Sequence, residues 1–127
     1  MGRLFCRIAV LLGAFAVQPA AAAELRLLMI EQPGCVYCIR WDAEIAPQYP
    51  VTDEGKAAPL TRMQLRDEVP EDITLLRSAA FTPTFVLLAD GHETGRIEGY
   101  PGEDFFWPLL ARLIRDAQDA SGNVGEQ

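Results

Sequence analysis

The sequence predicts an α/β domain, a mixed four-stranded sheet flanked by helices in the order β-α-β-α-β-β-α. Three observations carry that prediction. An apolar, strand-like run from Glu24 to Glu31 breaks at Gln32-Pro33-Gly34 into a stripe of helical period. The β-rich run TFVLLAD ends on Asp90-Gly91, a strong hairpin signal, before HETGRIEGY. An amphipathic stretch from Gly102 to Asp119 then supplies a helix to pack on the sheet.

The 127 residues suffice for one domain, but residues 1–23 do not read as part of it. Arg3 and Arg7 precede the apolar run Ile8 to Val17, which leads through Gln18-Pro19 to four alanines. That order predicts a cleaved secretory signal peptide, and its apolar core is short for a membrane span of ~20 residues. The domain is therefore residues 24–127, and the expected destination is the periplasm.

Within the domain, residues 24–31 form the first strand. Cys35, Cys38, Ile39, Asp42, Ile45, Ala46 and Tyr49 recur at threes and fours, a stripe flawed by Asp42, predicting a helix that Pro47 and Pro50 terminate. Residues 51–58 read as a polar loop holding the only lysine, Lys56, and Pro59 to Leu65 as a second strand. Joined through a helix, these two strands should be parallel. Ile73 to Phe81 reads as a short helix, after which the hairpin supplies two antiparallel strands. Phe105, Phe106, Leu109, Leu110, Leu113 and Ile114 mark one side of the last helix, and SGNVGEQ is expected to fray.

Charge narrows the function classes. The whole chain has 11 basic and 18 acidic residues and a formal charge of −7. Residues 1–23 contribute two arginines and no acid, so the remaining domain carries about −9. Nucleic-acid binding is disfavoured, because its affinity comes from neutralising phosphates with cations. No GxGxxG or P-loop is present, so no nucleotide cofactor is expected.

The cysteines carry the chemistry. With Cys6 removed in the signal peptide, Cys35 and Cys38 remain, in an oxidising compartment. A bridge between them closes so short a loop that it adds little stability. A metal site is disfavoured as well, since zinc wants four ligands and the only histidine, His92, falls in the expected hairpin. At a helix N-terminus, however, a thiol is acidified by the dipole and by free backbone N–H groups. Cys35 then attacks a partner disulfide, and Cys38, one turn later on the same side, resolves the mixed disulfide.

The order of elements, the CxxC opening the first helix, and Thr82-Pro83 before the third strand together resemble the thioredoxin superfamily. The resemblance covers residues 24–127 and implies a minimal thioredoxin fold. It also implies that Pro83 is cis and lies beside the cysteines, with Thr82 offering its backbone to substrate and Val36 and Tyr37 facing it. Gly99 matches a glycine frequent at the end of the last strand. Departures are Gly34 in place of the usual tryptophan, Val36-Tyr37 in place of Gly-Pro, and Met29 where a buried acid is usual; Glu31 and Asp42 are the nearby candidate carboxylates for proton transfer in its place. EQPGCVYCIRWDAEIAPQYP, FTPTFVLL and GRIEGYPGEDFFWPLLARLI are similar to the small periplasmic thioredoxins of bacterial thiosulfate-oxidation (Sox) systems. That likeness implies a protein that reduces the Sox sulfur-carrier complex and is itself re-reduced by a membrane thiol-electron carrier of the CcdA/DsbD kind; a monomer is expected.

Two other functions use the same residues. An oxidase or isomerase of exported proteins needs a higher potential, which Val36-Tyr37 does nothing to raise. A non-catalytic metal-handling CxxC module needs further ligands. Trp41 and Trp107 are expected to pack, Arg40 to pair with Glu44 or a thiolate, and Tyr100-Pro101-Gly102 to line the rim near the cysteines.

Overall fold

The computed structural model describes residues 14–18 and 21–123. Most of the expected signal peptide, with Cys6, and the end of the expected frayed tail lie outside the described residues. Four strands, β1 (Leu25–Glu31), β2 (Leu60–Gln64), β3 (Thr84–Ala89) and β4 (His92–Glu98), form one sheet in the order β2-β1-β3-β4. Three helices accompany it: α1 (Val36–Glu44), α2 (Asp53–Ala57) and α3 (Glu103–Asn123). The α/β class and the mixed four-stranded sheet are thus as the sequence predicts. So are two of the pairings, β1 parallel to β2 and the Asp90-Gly91 hairpin of β3 and β4; the antiparallel pairing of β1 with β3 joins them into one sheet. Both turn residues have positive φ, 50° and 81°, as a tight hairpin turn of this kind requires.

Burial on both faces of β1 and β3 explains their nearly continuous apolar sequences. Leu27, Met29, Phe85 and Leu87 face one side, where Trp41 of α1, Ile45 at its C-cap, and Phe106, Leu110 and Ile114 of α3 complete the main core. Leu28, Ile30, Val86 and Leu88 face the other. There the sequence reading needs correction, because Ile73 to Phe81 is not a helix. Ile73 and Leu75 turn in while Leu76 is 74% exposed, a period of two rather than 3.6. The segment instead lies extended along the sheet edge, where Thr74 bridges His92, and its N–H donates to the carbonyl of Gly91 at 2.8 Å.

A second correction concerns residues 51–58, expected as a loop. They begin on the last residue of a 3₁₀ turn, Tyr49–Val51, and hold the five-residue α2. Thr52 caps α2 by accepting the Gly55 N–H at 3.0 Å, and Asp53, Glu54 and Lys56 match its dipole. One and a half turns are too few to show a periodicity. The last helix also outruns its expected end: Ser121 to Asn123, read as fraying, remain helical, and the Ser121 hydroxyl donates to Ala117 O at 3.0 Å.

Candidate active site

The turn Gln32-Pro33-Gly34-Cys35 delivers the first cysteine. Proline supplies the second position of the turn and glycine the third, where φ is +75° and a Cβ is poorly tolerated. The Cys35 N–H donates to Gln32 O at 3.3 Å and closes the turn. Cys35 is the N-cap of α1, in extended backbone, and its Sγ accepts the Cys38 N–H at 3.1 Å. The sulfur therefore sits at the positive end of the helix, where negative charge on it is stabilised.

Cys35 and Cys38 are joined as a disulfide, with Cα atoms 5.2 Å apart. Both residues are largely buried, at 9% and 5% exposure, and pack in the main core with Met29 and Trp41. Between them Val36 and Tyr37 stand in solvent, at 72% and 55%. The bridge is thus reached past an apolar lip, not across a charged surface.

Thr82-Pro83 is a cis peptide bond. Its place follows from the sheet: Thr84 pairs with Ile30, so the strand entering β3 and the loop leaving β1 emerge at the same end. A side-chain hydrogen bond links the two loops directly, Gln32 Nε2 donating to Thr82 Oγ1 at 2.8 Å. Pro83 is buried, and its carbonyl accepts the N–H of Gly99, whose φ is +84°.

The carboxylates near the site take other partners. Arg62 of β2 reaches Glu31 and Asp42, each at 2.7 Å, and its guanidinium lies 5.5 Å from the centre of the Trp41 ring. The hydrogen bond to Asp42 is the main reason the Arg62 pKa is raised. Met29 leaves the core beneath the cysteines without an acid at that position. Arg40 pairs with Glu44 at 2.8 Å, as one of its two expected partners. Tyr100 closes that cluster, its hydroxyl 2.5 Å from Glu44, with Gly102 beside Arg40. Burial, and then the Glu44 carboxylate, push the Tyr100 phenol above its usual range, while the Tyr100 and Arg40 hydrogen bonds hold Glu44 below its own.

Both tryptophans pack. Trp41 is fully buried, its ring 5.1 Å from that of Phe85 and 5.8 Å from that of Phe106, and Trp107 stacks on Tyr49 at 6.0 Å. Among the described residues no group of three or more His, Cys, Asp and Glu is placed to hold a metal ion, and no helix is long and apolar enough to cross a membrane. Sequence reasoning overlooked Gln32 and Arg62, whose roles depend on partners 50 and 20 to 31 residues away. No local signal marks either one.

The thioredoxin-like domain family matches residues 14–114. The crystal structure of the periplasmic thioredoxin SoxS from Paracoccus pantotrophus, in reduced form, is 70% identical; the match covers 74% of this chain and 99% of that one, with a TM-score of 0.73. The thioredoxin of Fasciola hepatica is 19% identical, the match covering 72% of this chain and 82% of that one. That of Malassezia sympodialis is 11% identical, with coverage of 75% and 79%. Both have a TM-score of 0.50 and share the fold alone. No curated protein sequence matches. A helix-capping CxxC disulfide beside a cis-proline loop, on this sheet and with these relatives, is the apparatus of a thiol–disulfide oxidoreductase, and the chain belongs to the thioredoxin-like family.

Proposed function

We propose that the chain is exported by a signal peptide at residues 1–23 and works in the periplasm as a disulfide reductase of a partner protein. In the reduced form the Cys35 thiolate attacks one sulfur of the partner disulfide, and the other partner sulfur leaves as a thiolate. Cys38 then attacks Cys35 Sγ, forming the Cys35–Cys38 bridge and releasing the second partner thiolate. Two electrons have passed to the partner; of the two protons its thiolates take up, one is that lost by the Cys38 thiol and the other comes from solvent. Thr82 and Pro83 receive the substrate chain, and Val36 and Tyr37 contact it. The observation that carries this reading is Cys35 Sγ at the α1 N-cap, bonded to a sulfur one turn away.

The 70% identical periplasmic thioredoxin supports both the compartment and a partner within sulfur oxidation. We take the oxidised cysteine of the Sox sulfur-carrier complex as the substrate, and a membrane thiol-electron carrier of the CcdA/DsbD kind as the source of reducing equivalents. Cys38→Ser should accumulate a mixed disulfide through Cys35, and mass spectrometry of the trapped species identifies the partner. A potential near thioredoxin's ~−270 mV agrees with a reductase; one near ~−120 mV would identify an oxidant and overturn the proposal.

A further inference from the structure

We infer that Gln32 is the positioning residue that holds the substrate-receiving loop in register with the attacking sulfur, an inference that rests on the function proposed above. Gln32 acts at both loops. Its carbonyl accepts the Cys35 N–H and closes the turn that presents Cys35, while its side-chain amide donates to Thr82 Oγ1 at 2.8 Å. One residue thereby sets the spacing between Cys35 and the cis Thr82-Pro83 peptide. Beyond Thr82 the chain is secured from the other side, through Gly99 N–H to Pro83 O at 2.7 Å and Thr84 Oγ1 to Phe81 O at 2.7 Å. Among the described residues the Thr82 backbone N–H and C=O make no hydrogen bond, so they remain available to an extended substrate chain. Their direction depends on the loop, and the Gln32 amide is the bond that ties that loop to the Cys35 turn.

Both side chains lie at the surface, so truncating Gln32 removes the tie without emptying the core; its carbonyl, and with it the Cys35 turn, is kept. The test measures reduction of insulin, and separately of hydroxyethyl disulfide, with dithiothreitol as electron source. Gln32→Ala should raise KM for insulin by roughly two- to tenfold, the worth of one hydrogen bond, with kcat little changed. Its rate with hydroxyethyl disulfide, which has no peptide backbone to pair with Thr82, should stay at the wild-type value. Thr82→Val should raise KM for insulin similarly, Thr82→Ser should restore it, and the double variant Gln32→Ala/Thr82→Val should be no worse than either single one. An unchanged insulin KM in Gln32→Ala, additive effects in the double variant, or equal losses with both substrates would overturn the inference while leaving the reductase reading intact. Failure of the wild-type protein to reduce insulin would instead remove the reading beneath it.

Discussion

Replacing Glu93 by glutamine should unfold the edge of the sheet beside the segment that leads to Thr82-Pro83. The Glu93 side chain is 1% exposed and that of Arg96 6%, and they meet at 2.6 and 2.8 Å. The same carboxylate accepts the Leu76 N–H at 2.7 Å, and Arg96 donates to Arg77 O at 2.7 Å. This ion pair is therefore the pin that holds the extended 73–81 segment against β4. A glutamine amide keeps the shape but loses the charge, leaving Arg96 buried with only Glu98, at 3.7 Å, as counter-ion. Breaking one side of a buried pair costs about 3–5 kcal/mol. For a domain of this size that lowers Tm by more than ~10 °C. Thermal and urea unfolding measure the loss, and faster amide exchange at Leu76 locates it. Removing both charges with apolar residues of similar volume, Glu93→Leu with Arg96→Met, should restore much of the stability, because no unpaired charge is then buried. A loss under ~1 kcal/mol in Glu93→Gln, or a double variant no better than the single, would refute the reasoning. Acid should act as the substitution does. Burial pushes the Glu93 carboxyl up, but the hydrogen bonds from Arg96 and the Leu76 N–H outweigh it and hold the carboxyl below its ordinary value. Its contribution is thus complete above about pH 4.3 and is lost as pH falls through the lower folded value, a loss that Glu93→Gln should not show.

Alkali should weaken the fold by the opposite sign. Burial raises both the Tyr49 and Tyr100 phenols, so their contribution is whole below about pH 10 and lost as pH rises through the folded values. Ultraviolet titration with unfolding at each pH should show this, and stability that stays level as the phenols ionise would contradict it. Phe106→Ala, deleting a fully buried ring 5.0 Å from that of Phe85, should cost about 3–5 kcal/mol by denaturant unfolding. Gly55→Ala places a Cβ 1.7 Å from the Tyr49 carbonyl oxygen, so the chain must shift; a loss of more than ~1 kcal/mol is expected, and a stability equal to wild type would refute the packing described for α2.

The elements read correctly from sequence are those whose local pattern and tertiary surroundings agree. β1 and β3 are apolar throughout because both their faces are covered, and Asp90-Gly91 can take the positive φ values that a hairpin turn needs. Cys35 and Cys38 were legible for a similar reason: a cap, a turn of Pro33-Gly34 and one helical turn of spacing are all local quantities. The 73–81 segment was misread because its three inward residues, Ile73, Leu75 and Ala79, are too few to distinguish a period of two from one of 3.6. Its conformation comes from elsewhere in the chain, from the Gly91 carbonyl and the buried Glu93–Arg96 pair.

By itself, then, the chain's order of residues determined the four strands, the parallel β1–β2 pair, the hairpin and the two sulfurs one turn apart, because strand burial, turn chemistry and helix capping act over a few residues. The cis state of Thr82-Pro83, the bond from Gln32 to Thr82 and the capture of Glu31 and Asp42 by Arg62 were decided only in the folded molecule. The three side-chain contacts join groups 20 to 50 residues apart, and the cis bond lies where β3 enters the sheet beside β1. Such contacts exist only after the β1–β2 and β1–β3 pairings have brought their carriers together.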